Sequence, residues 1–189
     1  MTYSSAIFET GQESLENGQI AKYASMVDQM GVTAGDHVLE IGCGWGGFAE
    51  YAAKKHGLKV TCLTISKEQL KYAQNRIKAA GLQHMVDFKL QDYRDETGVY
   101  DGIASIEMFE AVGEKYWPSY FETVHDRLKP GANATLQIIT VQHARYEIYR
   151  KSVDFIQKYI FPGGMLPSPV VLREQVEKEG LKVVKSKEF

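Results

Sequence analysis

Two constellations in this chain of 189 residues have the residue types and spacing to do chemistry. In the first, Glu40, Gly42, Gly44, Gly46 and Gly47 fall within the stretch from His37 to Phe48. Val38, Leu39 and Ile41 make a short apolar run that stops at Gly42, as a buried parallel strand does before a tight turn. Phe48, Ala49, Tyr51 and Ala52 then resume at helical spacing. The glycines therefore sit where a strand hands over to a helix N-terminus, the place where open α/β sheets bind ligands. Bare of Cβ and free to take positive φ, they let a ligand lie against the main chain. In the second constellation, Glu107 and Glu110 stand three apart among Met108, Phe109 and Val112, at the end of another strand, where they should face the reacting group. A buried acid there has a raised pKa unless something pairs with it, and so can hold a proton or a proton carrier.

Gly42, Gly44 and Gly47 match the dinucleotide fingerprint G-x-G-x-x-G. A dinucleotide site also wants a carboxylate about 20 residues further on, and Lys59 to Ser66 offers none. The acid stands before the glycines instead, at Glu40. There it would repel a pyrophosphate, whereas it can face the cationic amino-acid end of S-adenosylmethionine (SAM). The pattern E-x-G-x-G-x-G resembles motif I of class I SAM-dependent methyltransferases; a bare structural turn and a nicotinamide or flavin site are the alternatives. Thr64, closing the second strand, and Gln69, one turn into the next helix, are placed for the ribose, since an uncharged Gln can hydrogen-bond both hydroxyls. A solvated Gln at a helix start is the plain alternative. Asp92 can accept from the adenine amine with Tyr93 beside the ring, although both types are also common in turns.

The elements that must position these residues follow from periodicity. Ser14 to Met30 reads as an amphipathic helix bearing Leu15, Ile20, Tyr23 and Val27, and residues 1–30 as a lid over the glycine loop or a cover for the sheet edge. Strands are expected at Val38 to Ile41, Lys59 to Leu63, Met85 to Leu90, Asp101 to Ile106, Ala134 to Val141 and Leu181 to Lys187. Helices are expected at Lys67 to Ala80 with Ser66 as N-cap, Tyr116 to Leu128 with Tyr120, Phe121 and Val124 inward, Gln142 to Ile160, and Val170 to Gly180. Leu128 to Gly131 reads as a turn. The aromatic run Tyr146, Tyr149, Phe155 and Tyr159, interleaved with Arg and Lys, can be core or can accept an acyl chain. The fold class is α/β, a doubly wound, mostly parallel, Rossmann-like sheet in a single domain, 1–189, with a helical insertion at about 142–168. A seven-stranded methyltransferase sheet needs one more strand, so the chain reads as a piece cut at both ends.

A net charge of −2 argues against nucleic-acid binding through a bulk positive field. No apolar run approaches the roughly 18 residues of a membrane span, and no signal sequence opens the chain, so the expected location is the cytoplasm. Cys43 and Cys62 read as free thiols, and no metal-ligand cluster is evident.

Nearly the whole chain resembles the catalytic core of the cyclopropane-fatty-acyl-phospholipid synthase family. The resemblance is carried by Tyr3 to Ala6 (YSSA), Gly42 to Phe48 (GCGWGGF), Thr64 to Gln69 (TISKEQ), Leu90 to Asp95 (LQDYRD), Met108 to Glu110 (MFE), Leu128 to Gly131 (LKPG) and Lys158 to Ser168 (KYIFPGGMLPS). It implies SAM contacts at Tyr3, Ser4, Gly42, Gly44, Thr64, Gln69, Asp92 and Tyr93. It also implies a bicarbonate ion acting as general base near Glu110 and the backbone of Ser5 and Ile139. Gln137 stands where the fatty-acid members carry His, Ser5 where they carry Cys, and Glu107 where they carry a small residue. SIEMFE resembles the plant alkaloid N-methyltransferases of the same superfamily, although Ala111 replaces their His. The expected activity is SAM-dependent C-methylation of the double bond of an unsaturated phospholipid acyl chain, reached peripherally at the inner membrane face. The alternatives are amine N-methylation and SAM binding without catalysis.

Overall fold

Strands alternating with helices build a five-stranded sheet from β1 (His37–Ile41), β2 (Lys59–Thr64), β3 (Val86–Leu90), β4 (Tyr100–Ile106) and β5 (Leu128–Gln137), in the order β3-β2-β1-β4-β5. The structure is a computed structural model describing residues 1–153 and 155–189. The chain divides into two compact units, one of Met1–Ile106 with Arg127–Leu136 and one of Glu107–Asp126 with Gln137–Phe189.

In the first unit β1 pairs in parallel with β2 and with β4, and β2 with β3. The strand order reverses between β1 and β4, which makes the carboxyl end of β1 the switch point of a doubly wound sheet. α1 (Leu15–Met30), α2 (Gly47–His56) and α3 (Lys67–Ala79) pack on these strands. Phe48, Leu58, Val60 and Ile77 are essentially inaccessible in the core between them, each side chain contributing roughly 1.5–3 kcal/mol by burial. Ser14 and Ser66 cap α1 and α3 by accepting from Asn17 and Gln69, and Cys43 and Cys62 are free thiols.

The inward face of α1 differs from the expected one. Leu15 and Ile20 are exposed, while Gln19, Lys22, Tyr23, Met26, Val27 and Met30 are buried. Positions 19, 22, 23, 26, 27 and 30 are a regular i, i+3, i+4 stripe, and two polar side chains occupy part of it because they have partners in the N-terminal segment.

In the second unit, α4 (Trp117–Arg127, all but its last residue) turns Tyr120, Phe121 and Val124 inward. Phe109 packs against Trp117, Tyr120 and Phe121 with ring centroids 5.0–5.4 Å apart. The helix expected over 142–160 is two, α5 (His143–Arg150) and α6 (Phe155–Tyr159). Ser152 interrupts it by bonding the Tyr149 carbonyl through both its amide and its hydroxyl, the local competition that disfavours Ser inside helices. Asp154, within that expected helix, lies outside the described residues. α7 (Pro169–Lys178) is capped by Ser168.

The strand expected at 181–187 is absent: those residues have no regular structure, and no ladder partner among the described residues pairs with them, without which extended backbone is not a strand. The strand expected at 134–141 begins and ends earlier. Lys129 Nζ on Asp101 at 2.6 Å and Asn133 Nδ2 on the Met30 carbonyl at 3.1 Å hold its first half, including the expected 128–131 turn. It ends at Gln137 because the Ile139 amide goes to the Glu110 carboxylate rather than to a neighbouring strand.

Candidate functional site

At the switch point the amides of Gly42 and Cys43 both donate to the Leu63 carbonyl, at 3.1 and 2.9 Å, which folds the glycine loop back over the end of β2. Gly42, Gly44 and Gly46 have φ of 80°, 50° and 76°, the left-handed region that side chains disfavour. A cleft opens on this loop, lined by Tyr3, Ser4, Glu40, Gly42, Gly44 and Trp45 among others. Gly46 does not line it. A Cβ there would meet Ala73 Cβ at 3.0 Å, so Gly46 serves the packing of α2 on α3.

The N-terminal segment is strapped across α1. Thr2 Oγ1 and Tyr23 Oη lie 2.9 Å apart, Gln19 Nε2 donates to the Ser4 carbonyl at 2.6 Å, and Lys22 Nζ donates to Ser4 Oγ at 2.6 Å and to the Ser5 carbonyl at 2.8 Å. Burying an ammonium costs several kcal/mol unless hydrogen bonds offset it, and Lys22 is 1% exposed, so these bonds explain both the buried lysine and the ordered strap. Sequence reading missed Gln19 and Lys22; the signal was their place on the stripe that continues through Tyr23, Met26, Val27 and Met30.

Glu40 is 2% exposed, with Cys62 Sγ 3.5 Å from its Oε2. Burial pushes its carboxyl up to about 8, opposed by the Cys62 thiol and the charges of Arg76 and Lys22. The cleft thus holds an acid whose ionised form is disfavoured by burial.

Beside the loop, Thr64 donates through its hydroxyl to Gln69 Oε1 at 3.0 Å, joining the two expected ribose residues. Leu90 pairs with Thr64, and Asp92 and Tyr93 follow at the turn after β3. Both Asp92 oxygens accept from Arg94, at 2.9 and 2.7 Å. That contact holds its carboxyl below the usual carboxylate range, which keeps it an acceptor.

The second unit brings the other expected residues together in two pairs. Glu107 has φ 47°, the one non-glycine with positive φ among the described residues, a conformation costing of order 1 kcal/mol or more. Its amide donates to the Gln137 carbonyl at 2.9 Å, and Gln137 Nε2 donates to Glu107 Oε1 at 2.7 Å. Glu110, 7% exposed, accepts the Ile139 amide on Oε1 at 2.5 Å. Glu110 Oε2 and Gln137 Oε1 are buried without a hydrogen-bond partner among the described residues. Burial raises the Glu110 carboxyl, the charge of Glu107 adds to this, and the Ile139 amide opposes it. Ser5 belongs to the first unit, where its carbonyl serves Lys22.

Among the described residues there is no group of three or more His, Cys, Asp or Glu placed to hold a metal ion. Nor is any described helix long and apolar enough to cross a membrane.

The family model described as mycolic acid cyclopropane synthetase matches residues 1–189. Tuberculostearic acid methyltransferase UfaA1 of Mycobacterium tuberculosis is 41% identical over 192 residues, a match covering 97% of this chain and 45% of that protein. Cyclopropane-fatty-acyl-phospholipid synthase of Escherichia coli K12 is 41% identical over 169 residues, covering 89% of this chain and 42% of that one. The solved structure of mycolic acid cyclopropane synthase CmaA1 complexed with SAH and CTAB superposes with a TM-score of 0.87 at 30% identity, covering 97% of this chain and 68% of that chain. The chain spans less than half the length of these two curated relatives.

Proposed function

The chain belongs to the mycolic acid cyclopropane synthetase family, the SAM-dependent methyltransferases that modify lipids, and from that premise we propose that it methylates the double bond of an unsaturated phospholipid acyl chain. The product is a cyclopropane or a methyl(ene) branch. The observation that carries this reading is the buried Glu110 carboxyl, with one oxygen held by Ile139 and the other unpartnered among the described residues. Such a group suits a proton acceptor for a carbocation in a site closed to water. The relatives support an acyl substrate: two are named for tuberculostearic acid and for cyclopropane-fatty-acyl-phospholipid, and others are sphingolipid C9-methyltransferases.

The cleft residues fit SAM, which when bound supplies an electrophilic methyl group. Glu40 would face its ammonium. Gly42 and Gly44 would leave room for its methionine portion, Thr64 and Gln69 would take the ribose, and Asp92 and Tyr93 the adenine. Tyr3 and Ser4 would close over it as part of a lid, residues 1–30. Glu110 would take the proton from the methylated chain, its raised pKa bringing the carboxyl toward the working pH.

Bicarbonate fits less well. Its expected holder, the Ile139 amide, is spent on Glu110, and although the unpartnered oxygens of Gln137 and Glu110 could accept its one O–H, they offer no donor to its negative oxygens. No step is therefore drawn through it.

For the acyl chain, the segment 142–168 is the proposed pocket. Ile148, Val153, Phe155, Tyr159, Ile160 and Phe161 are all exposed there, beside Arg150, Lys151 and Lys158. Apolar groups rimmed by cations suit peripheral contact with a lipid surface at the cytoplasmic face.

Turnover on vesicles of unsaturated phospholipid, read by mass spectrometry of the lipids, tests the reading. Glu110→Gln should lose about 100-fold or more, the usual worth of a general base. Glu107→Gln, which keeps a side chain for Gln137 to meet, should lose less than about 10-fold, and added bicarbonate should change neither. An amine substrate would arrive protonated and need both acids, so equal, severe losses would favour N-methylation.

A further inference from the structure

Lys22 has no part yet in binding a ligand, yet it is the most deeply buried charged side chain in the first unit and it is hydrogen-bonded to the strap. A lysine ammonium has three donors and no acceptor, and a serine hydroxyl has one donor and two acceptor positions. At 2.6 Å the direction of the Lys22 to Ser4 bond is therefore forced: Nζ donates, Ser4 Oγ accepts, and the serine's own hydrogen must point elsewhere. Ser4 lines the cleft. Its carbonyl is fixed by Gln19 Nε2 at 2.6 Å, and the carbonyl of Ser5 by Lys22 at 2.8 Å, so the backbone cannot swing the hydroxyl away.

We propose that Lys22 is a positioning residue for SAM: by holding Ser4 Oγ it aims and polarises the serine O–H, which then donates to the carboxylate of the ligand's methionine end. The arrangement reads a zwitterion with two opposite charges set apart. Glu40 answers the ammonium directly, and Lys22 answers the carboxylate through one hydroxyl. With 1% exposure, the Lys22 charge is little screened by solvent, and a hydrogen bond to an ionised donor strengthens the next bond in the chain. A lysine serving only as a mechanical latch would need no hydroxyl between itself and the cleft.

The inference rests on SAM as the ligand of this cleft. Calorimetric titration of the protein with SAM and with 5′-methylthioadenosine, which keeps the adenosine and sulfur but lacks the amino-acid end, separates relay from latch. Ser4→Ala and Lys22→Met should each weaken SAM roughly 10- to 100-fold, as for one charge-assisted hydrogen bond. The double variant should be no worse than the weaker-binding single one, because the two residues act in series. Affinity for 5′-methylthioadenosine should stay within about twofold in every variant. Parallel losses for both ligands, or unchanged SAM affinity in Ser4→Ala, would overturn the relay and leave a latch. If Lys22→Met fails to fold, unchanged SAM affinity in Ser4→Ala still overturns the relay, because that variant keeps the lysine and both carbonyl bonds. An unmodified protein that binds neither ligand would overturn the cofactor reading, and the relay with it.

Discussion

Glu40 is held as an acid by burial but would meet the proposed SAM ammonium as an anion, and that conflict can be measured. Between its ordinary value of 4.5 and its folded value of about 8, the folded protein keeps a proton that the unfolded chain has released. Stability therefore falls as pH climbs through that window, by up to about 1.4 kcal/mol for each pH unit. Glu40→Gln should abolish this slope, raising the melting temperature relative to the parent at pH 8 and leaving it little changed at pH 4. A SAM ammonium should draw the proton off, so that binding at pH 7 releases about one proton in the parent and none in Glu40→Gln. Titrations in buffers of different ionisation enthalpy measure this; identical heats across buffers in the parent would show that Glu40 does not meet the ammonium. That Glu40 and Gly42 line the cleft was legible in the sequence because they flank the turn that ends a strand at the switch point. Lys22 and Gln19 were not, because a polar side chain on a helix is ordinarily solvated and its burial depends on partners that arrive from residues 2–5.

Elements were legible where one periodicity acts alone and illegible where a side chain competes for the backbone. The alternation of strand and helix from β1 to β4 came through with ends shifted by a residue or so, since each strand is largely apolar or, in β3, alternates apolar with polar residues, and each helix start is marked by glycine or serine. β5 was misplaced because its end is decided by Glu110, nearly 30 residues earlier in the chain, and the helix over 142–160 because Ser152 takes back a carbonyl. The same kind of side-chain control holds the turn that carries Asp92 and Tyr93. Glu96 Oε1 accepts from the amides of Thr97 and Gly98 and from Tyr100 Oη, at 2.9–3.1 Å, while Oε2 accepts from Lys89 Nζ at 2.9 Å and Gln91 Nε2 at 3.3 Å. This ties the last residues of β3 to the first of β4. Because Glu96 is 5% exposed, Glu96→Ala leaves the buried Tyr100 hydroxyl and several part-buried donors without this partner and should cost about 1–3 kcal/mol in urea denaturation. A loss under about 0.5 kcal/mol, the scale of an ordinary surface change, would mean that the sheet alone sets this turn.

At the scale of the whole chain, the residues proposed for the cofactor all lie in the unit of Met1–Ile106 with Arg127–Leu136, whereas Glu107, Glu110, Gln137 and Ile139 lie in the other. Sequence periodicity carries no hint of this division, because no linker or change of composition marks Ile106, Asp126 or Leu136: the chain passes between units at the end of β4, within the last turn of α4 and within β5. The division predicts that cofactor binding and proton handling separate under mutation. Gly44→Val puts a β-branched side chain at φ 50°, with the Cβ already 3.6 Å from the Tyr3 ring, and so closes the space over the loop. SAM affinity should fall about 100-fold or more, by the loss of several kcal/mol of contacts. Glu110→Gln removes an ionisable group whose hydrogen-bond partner, Ile139, is in the second unit, so SAM affinity should stay within about threefold while turnover collapses. Calorimetry beside the lipid assay reads both quantities on the same two variants, with thermal melts to show that each is folded. If Glu110→Gln loses SAM as completely as Gly44→Val, the carboxyl serves the cofactor rather than the lipid, and the role of base passes to another group.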